Sequence, residues 1–313
     1  MDSKKRNQWK AWLYLLPAIA LLAIFTVWPI INTIRMAMLE GYNLDDELGG
    51  LSFKFGFANF SDVIRYPAFT KRLGTTMLLT VLTVPISTML ALVIAVLLNS
   101  IKFVKKIFQT IFFLPYVTNS IAIGMVFAAM FTMLNPLAGS DNYGSIGLIN
   151  TILKAFGVSP VNWVNVNASY PAQIAVMTIY IVWNALPFKI LILLGGLQSV
   201  NKQYYEAAKI DGTSKWRTFW RITVPMLSPM LAYVVITGFI GGFKEYSSVL
   251  GVFGDAMGAN DHDIDTIVGF IYQNIEGNSS NQGRASAAAL ILFAIIFAVT
   301  MVNMYVSKKK VHY

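Results

Sequence analysis

The sequence contains no cysteine, only two histidines and few charged residues. The lack of cysteine excludes a disulfide scaffold, a thiolate metal site and a cysteine nucleophile. Charged residues make up 12% of the 313 residues, against about 25% in an average soluble domain. Because 56% of the residues are hydrophobic, an ordinary soluble globular protein and an intrinsically disordered chain are both excluded.

Two catalytic signatures are also missing from the sequence. No Gly-x-x-x-x-Gly-Lys-[Ser/Thr] phosphate loop occurs, and Gly212-Thr213-Ser214-Lys215 lacks the required glycine spacing. No His-Glu-x-x-His pair occurs either, and the two histidines lie in polar segments. We therefore expect no catalytic residues, no metal site and no ATP bound by this chain.

Long apolar stretches are what the sequence does contain. A bilayer core about 30 Å thick needs about 20 apolar residues of helix, and six stretches meet this length. Their backbone groups must be hydrogen-bonded internally in lipid, so they are predicted to be helices. The predicted spans are residues 11–38, 73–98, 107–134, 172–197, 225–250 and 285–306.

The charges are distributed unequally between the segments that connect these spans. With six spans both termini share one side, and that side carries 15 basic and 3 acidic residues in the 1–10 tail, the 100–106 and 199–224 segments and the 307–313 tail. The opposite side carries 6 basic and 11 acidic residues. Basic loops remain cytoplasmic, which predicts cytoplasmic termini. The net charge of +9 thus reflects membrane topology, and nucleic acid is not an expected partner.

The inner segment 199–224 is polar and yet has the pattern of ordered helices. Residues 202–210 are good helix formers, and Gly212 is suited to the left-handed backbone that ends a helix. Either Thr213 or Ser214 is suited to cap the next helix. That second helix places Trp216, Phe219 and Trp220 on one face between basic residues, which is typical of a helix at a membrane surface.

The same segment resembles the EAA loop of the permease subunits of ABC importers. The resemblance rests on Glu206-Ala207-Ala208, Asp211-Gly212-Thr213 and Phe219-Trp220-Arg221-Ile222-Thr223-Val224-Pro225. These details are similar to the carbohydrate-uptake branch, which is maltose-type and binding-protein-dependent. Leu194-Gly195-Gly196-Leu197-Gln198 and Phe243-Lys244-Glu245-Tyr246 support it, and the resemblance covers nearly the whole chain.

The resemblance implies an all-α membrane protein with the architecture of a type I ABC importer permease. It implies that Glu206, Ala207, Ala208, Asp211 and Gly212 couple the chain to a dimer of ATPase subunits, which bind ATP and Mg²⁺. A second homologous permease, an extracytoplasmic solute-binding protein and membrane lipid are the other implied partners. The implied location is a bacterial or archaeal cell membrane.

Polar residues inside the predicted spans are candidates for the substrate pathway, because they are costly to place in lipid. The set is Asn119, Trp183, Asn184, Lys244, Glu245 and Tyr246. An alternative is that the asparagines join helices and that the two charges pair with a second subunit. Lys189 is expected to extend its ammonium group toward the membrane surface, and the outer segment 251–283 is expected to be a flexible solvated loop.

These observations lead to one function hypothesis and its alternatives. The chain is predicted to be a permease subunit of an ATP-driven importer of sugars or oligosaccharides. A permease for glycerol-3-phosphate or another polar solute is the first alternative, since Lys244 would favour a phosphate ester. A secondary transporter would need an inverted repeat and intramembrane carboxylates, and the sequence offers one such acid, Glu245.

Overall fold

The fold is built almost entirely from helices. The computed structural model describes residues 2–101, 110, 111, 114, 116, 118–134, 145–165, 167–254, 264–276 and 281–310. The helices are α1 (Asp2–Leu22), α2 (Trp28–Ala37), α3 (Leu44–Leu48), α4 (Ala58–Arg65), α5 (Pro67–Ser100), α6 (Ser120–Phe131), α7 (Leu148–Ala155), α8 (Tyr170–Ser199), α9 (Lys202–Ile210), α10 (Lys215–Thr218), α11 (Val224–Met226), α12 (Ser228–Phe243), α13 (Ser247–Phe253), α14 (Ile267–Glu276) and α15 (Gln282–Lys310). Two π-helical turns, Ala23–Val27 and Phe219–Thr223, join α1 to α2 and α10 to α11. The short strands β1 (Met133–Leu134) and β2 (Ser145–Ile146) pair antiparallel.

Several helices are long and apolar enough to cross a membrane. Within the described residues there are four of them, Trp12–Ala37, Pro67–Ser100, Tyr170–Ser199 and Gln282–Lys309, and a fifth if a bent pair counts as one span. The predicted third span lies partly outside the described residues. Its described part contains α6, which has 12 residues. The prediction of a helical membrane fold is confirmed, with four or five spans in the described part.

The predicted fifth span, residues 225–250, is not a single helix. The segments Lys215–Met226 and Ser228–Phe243 meet at an angle of 67°. The second segment ends at Phe243, and α13 begins only at Ser247. Lys244 and Glu245 close the last turn of α12, because their amides donate to the carbonyls of Gly241 and Gly242 at 3.0 and 3.2 Å. The polar residues that were predicted to lie within a span therefore form a break between two helices.

The chain divides into two compact units, and the first comprises Met1–Phe69 with Ile271–Phe293. Asn59, which is buried, organises the part of this unit outside the spans. Its side chain donates to the carbonyls of Ala37 and Leu39 at 3.1 and 2.6 Å and accepts from the Gly41 amide at 3.1 Å. The amide of Gly283 donates to the carbonyl of Tyr42 at 3.0 Å. These bonds join the end of α2 and the residues after it to α4 and to the start of α15.

A small charged cluster lies next to Asn59 in the same unit. Tyr42 and Arg35 both donate hydrogen bonds to the carboxylate of Glu47. Those bonds, first from Tyr42 and then from Arg35, hold the pKa of Glu47 below its usual value. Burial of the Tyr42 ring and the bond to Glu47 raise the pKa of its phenol. The carboxylate is therefore charged at neutral pH and keeps the acidic helix α3 attached to α2.

The second unit comprises Thr70–Phe270 with Ala294–Tyr313, and α8 runs through its core. One buried cluster places Met177 and Tyr180 of α8 against Leu79 of α5 and Val249 of α13. A second cluster places Leu193 and other residues near the end of α8 against Ala91 and Leu227. Apolar side chains on all sides of α8 explain why this helix is half buried within the unit, unlike a helix that faces only lipid.

Glycines allow the closest helix contacts in the second unit. A Cβ at Gly124 would stand 2.7 Å from the backbone of Gly251, which brings α6 and α13 into direct backbone contact. On α12, a Cβ at Gly242 would stand 2.8 Å from the Thr80 side chain, and one at Gly238 would stand 3.1 Å from Val84. The Gly238-x-x-x-Gly242 spacing therefore serves close packing of α12 on α5.

The outer segment 251–283 is more ordered than the sequence analysis predicted. Residues 264–276 are described and include helix α14, whereas residues 255–263 and 277–280 lie outside the described residues. Ile264, Ile267 and Phe270 are almost fully buried. The Ile267 amide donates to the Thr76 hydroxyl at 3.0 Å, and Arg72 forms an ion pair with Asp265 at 2.8 Å. The expectation of a flexible solvated loop is wrong for residues 264–276, because their apolar side chains pack into the unit.

Candidate functional site

The first candidate site is the coupling loop, residues 199–224, and its local structure follows from capping residues. The side chain of Asn201 accepts from the Gln203 amide at 3.0 Å and caps α9. Gly212 follows α9 with φ of 66°, a left-handed backbone that glycine adopts readily. The amide of Thr213 returns to the carbonyl of Ala208 at 2.9 Å. Ser214, rather than Thr213, then caps α10 through the Arg217 amide.

Helix α9 has one face exposed to solvent and one residue, Ala208, buried in the unit. Glu206, Ala207 and Asp211 are exposed, whereas Ala208 is buried. The hydroxyl of Tyr205 donates to Thr223 at 3.3 Å, which ties α9 to the π-helical turn. The carboxylate of Glu206 is therefore held on an ordered, exposed helix face, next to a residue small enough for close approach by another protein.

The second half of the coupling loop carries three aromatic rings in mutual contact. The ring centroids of Trp216, Phe219 and Trp220 are 5.0 to 6.2 Å apart. Trp216 remains 72% exposed and Trp220 48% exposed. Lys215, Arg217 and Arg221 are exposed beside them. The π-helical turn and α11 then continue the helix to the 67° bend at Leu227.

Replacement of Gly212 by alanine is expected to lower the melting temperature of the protein. No heavy atom of the described residues lies within 4 Å of a Cβ at this position, so the cost arises from the backbone alone, at about 1–2 kcal/mol. Asparagine tolerates a positive φ better than alanine does, so Gly212→Asn should lower the melting temperature less than Gly212→Ala. Thermal unfolding of the purified protein measures both. Gly195→Ala, at a helical glycine, is the control, and an equal loss there would contradict the explanation.

The second candidate site is a cavity of about 440 Å³ between α5, α6, α8 and α12. Polar groups from four segments that are distant in sequence meet in its wall. The lining is Thr83, Val84, Ser87, Tyr116, Thr118, Ser120, Ile181, Asn184, Ala185, Phe188, Lys189, Thr237, Gly238, Gly241, Gly242 and Glu245. Such a concave site with a few convergent polar groups is typical of small-molecule binding.

Asn184 belongs to a hydrogen-bond chain on one side of this cavity. Its amide donates to the Ser120 hydroxyl at 3.1 Å, and that hydroxyl lies 3.0 Å from the Tyr180 hydroxyl. The Tyr180 hydroxyl also donates to the backbone carbonyl of Ser120, and its ring is fully buried. The chain joins α8 to α6, so Asn184 both connects helices and lines the cavity.

Lys189 lies on another side of the cavity, buried rather than extended toward the membrane surface as the sequence analysis expected. Its ammonium group donates to the Val84 carbonyl at 3.2 Å, to Ser87 at 2.7 Å and to Thr88 at 3.0 Å. Both hydroxyls give their own protons to carbonyls one turn earlier, so Lys189 must supply all three protons. This geometry requires the charged form, and among the described residues no carboxylate forms an ion pair with it.

Glu245 brings a negative charge to the same cavity. Its Oε1 atom accepts from the amides of Tyr246 and Ser248 at 3.1 and 3.0 Å. These amides belong to the first turn of α13, where a carboxylate is stabilised by unpaired backbone N–H groups. The carboxylate thus caps a helix while it lines the cavity.

The other predicted substrate-pathway residues do not belong to the described lining of this cavity. Asn119 caps α6 by accepting from the Ile121 amide at 2.9 Å. The Trp183 ring packs 5.1 Å from Phe127, and Tyr246 packs against the same apolar cluster. Lys244 is exposed at the end of α12. Asn119 thus caps a helix and the two aromatic rings pack in an apolar cluster, and the assignment of these four residues to a solute pathway stays a prediction.

Sequence reasoning missed the contribution of α5 to the cavity. Buried hydroxyl residues recur along it every three or four residues, namely Thr76, Thr80, Thr83 and Ser87, and the last two line the cavity. This spacing places them on one helix face, and it was available in the sequence as a signal. Tyr116 and Phe188 were missed as well, and their rings stack at 5.7 Å with an interplanar angle of 17°.

Comparisons with known proteins agree with this arrangement. A family model described as "Binding-protein-dependent transport system inner membrane component" matches residues 84–312. The lactose transport system permease protein LacF of Rhizobium radiobacter is 27% identical over 96% of this chain and 94% of its own length. The arabinooligosaccharides transport system permease protein AraP of Halalkalibacterium halodurans is 34% identical over 80% of this chain and 75% of its own length.

A solved structure shares the fold over nearly the whole chain. It is a bacterial alginate ABC transporter in complex with an alginate pentasaccharide-bound periplasmic protein. The TM-score is 0.79 and the identity 20%, and the match covers 98% of this chain and 96% of that one. At this identity the likeness shows that the two chains share a fold.

Proposed function

Because the chain belongs to the family of binding-protein-dependent transport system inner membrane components, we propose that it is one permease subunit of an ATP-driven importer of sugars or oligosaccharides. The observation that carries this proposal is the family match over residues 84–312, a range that includes the coupling loop and every described lining residue of the cavity except Thr83. The names of the two relatives support a saccharide as the solute.

The coupling loop is proposed to dock on an ATPase subunit. Glu206 would offer its carboxylate, Ala207 and Ala208 would permit close approach, and Asp211 and Gly212 would end the docking helix. ATP and Mg²⁺ would be bound and hydrolysed by the partner subunits. Closure of the ATPase dimer would move the docked helices as rigid bodies and change the side of the membrane to which the cavity opens.

The cavity is proposed to form half of the translocation pathway, and a second homologous permease would supply the other half. The stacked rings of Tyr116 and Phe188 offer an aromatic face, and Asn184, Ser120 and Thr118 offer hydrogen-bonding groups beside it. Sugars present both apolar ring faces and hydroxyl groups, so this combination fits them. An extracytoplasmic binding protein would deliver the solute from the outside.

The proposed orientation places both termini in the cytoplasm of a bacterium or archaeon. Its support is the 15 basic residues on the side that also carries the coupling loop, against 6 on the other side. In this orientation the loop faces the compartment that supplies ATP.

Uptake by the assembled importer tests this proposal. The chain is produced with the proteins encoded beside its gene, and the uptake of labelled oligosaccharides is measured with and without ATP depletion. Asn184→Ala is expected to lower uptake at limiting solute about tenfold, because one lost hydrogen bond costs about 1.4 kcal/mol. Leu191→Ala, at an exposed position of the same helix outside both the described lining of the cavity and the coupling loop, should leave it unchanged. ATP-independent uptake would contradict the proposal.

A polar anion such as glycerol-3-phosphate remains the second candidate solute. The sequence analysis based this alternative on Lys244, which is exposed outside the cavity, but Lys189 supplies a positive charge in the cavity wall. The same uptake assay distinguishes the two candidates. Competition by unlabelled glycerol-3-phosphate and none by neutral oligosaccharides would favour the anion.

A further inference from the structure

A second large cavity, separate from the proposed pathway, opens as a groove beside the 67° bend of the chain. Its volume is about 580 Å³. The first wall is formed by residues on both sides of the bend, and the second by the end of α15. The lining is Val224, Pro225, Ser228, Leu231, Ala232, Val235, Ile236, Asn303, Val306, Ser307 and Lys309.

The groove has an apolar body and one charged end. Leu231, Val235 and Ile236 line it along two turns of α12. Ser307 and Lys309 come from the last turns of α15. The Lys309 ammonium lies 4.4 Å from the centre of the Tyr305 ring, and its side chain is exposed. The groove therefore offers a long hydrocarbon surface that ends at a cation.

A second cation precedes the groove lining along the chain. Arg221 is exposed and lies one helical turn before Val224, the first residue of the lining. The neighbouring Trp216 and Trp220 are exposed as well, and an aromatic and basic pair of this kind is typical of a segment at a membrane surface. The predicted six-span topology places this segment and the C-terminal end of α15 on the same side of the membrane, so Arg221 and Lys309 both face the same layer of lipid headgroups.

We propose that this groove is a binding site for an anionic phospholipid, with an acyl chain along α12 and the phosphate group beside Lys309. Aliphatic walls match a hydrocarbon chain, and the cation matches the phosphate charge. A zwitterionic lipid would bring its own positive group to the same position and bind less well. The site requires only that the chain lies in a membrane, so it stands apart from the proposed saccharide transport.

The position of the site gives the lipid a structural effect. Val224 and Pro225 precede the bend, whereas Ser228 and the rest of the α12 wall follow it. An acyl chain in the groove contacts both segments at once. A bound lipid therefore stabilises one angle between the end of the coupling loop and α12.

Native mass spectrometry of the purified full-length chain in detergent tests the site. Dioleoyl phosphatidylglycerol and dioleoyl phosphatidylcholine are titrated separately, and bound lipid is counted. Phosphatidylglycerol should remain bound under conditions in the spectrometer that remove phosphatidylcholine from the protein. Lys309→Gln should weaken phosphatidylglycerol binding about fivefold, the effect of one basic side chain at an anionic membrane surface. Lys308→Gln removes the same charge one residue away, outside the described lining, and should have no such effect.

A second variant tests the apolar body of the groove. Ala232→Phe places a ring in the groove, so it should reduce binding of both lipids while the melting temperature stays near that of the parent. Equal binding of the two lipids, or equal losses in Lys309→Gln and Lys308→Gln, would overturn the proposal. Loss of bound lipid on assembly with a second permease would also overturn it, by assigning the groove to a subunit interface.

Discussion

Replacement of Glu206 by lysine is expected to abolish ATP-driven uptake and the copurification of the ATPase subunit. Glu206 is exposed on α9, and within the described residues the structure assigns it no ion pair inside the chain. Its charge is therefore available to a docking partner. Breaking a charge pair that is buried in an interface costs about 2–5 kcal/mol, so uptake should fall at least about thirtyfold.

Two matched variants separate the loss of docking from general damage. Gln203→Lys places the same basic side chain at an exposed position one turn earlier on α9 without removing a carboxylate, and we expect normal assembly. Glu206→Gln keeps the shape of the side chain and removes only its charge. Its uptake and its copurification with the ATPase subunit should therefore lie between those of the parent and those of Glu206→Lys. Affinity purification and uptake are measured for all three. Normal assembly and uptake in Glu206→Lys would show that the carboxylate has no role in coupling.

Replacement of Gly124 by alanine is expected to lower the stability of the protein strongly. A Cβ there would lie 2.7 Å from the backbone carbon atoms of Gly251, and a Cβ at Gly251 would lie 2.9 Å from the carbonyl oxygen of Ile121. Backbone cannot rotate away as a side chain can. Helices α6 and α13 would have to separate, at about 3 kcal/mol or more, the upper end of the range for overpacked cores.

The control for Gly124 is a glycine with room around it. Gly74 lies in helix α5, and in the described part of the chain no heavy atom comes within 4 Å of its Cβ position. Gly74→Ala should be neutral or slightly stabilising, because alanine is the better helix former. The melting temperatures and yields of the two variants in detergent are compared. Equal melting temperatures would mean that the close contact between α6 and α13 does not hold the unit together.

The structure of the coupling loop could be predicted from the sequence because its determinants are local. Helix α9 ends where glycine allows a left-handed backbone, and Ser214 caps α10 through an amide three residues away. The contact between Trp216, Phe219 and Trp220 follows from their spacing on one helix. Only the choice between Thr213 and Ser214 as the cap needed the structure.

The composition of the cavity could not be predicted in the same way. Ser120 of α6, Asn184 of α8 and Glu245 of the break after α12 meet there, and their meeting depends on how the helices rotate and pack. Lys244 and Glu245 are neighbours, yet the helix break leaves the first exposed and turns the second into a cap within the cavity wall. The sequence pattern identified both as polar residues in an apolar stretch, but it did not indicate which of the two would line the cavity.

The sequence by itself determined the membrane class of the protein, its helical fold and the local structure of residues 199–224. These depend on apolar length, on charge and on hydrogen bonds between residues a few positions apart. The tertiary structure alone decided that Lys189 is buried against α5, that the fifth predicted span is broken and that Gly124 meets Gly251. The physical reason is that the packing of whole helices determines a long-range contact. The sequence around one residue does not specify which distant residue it will contact.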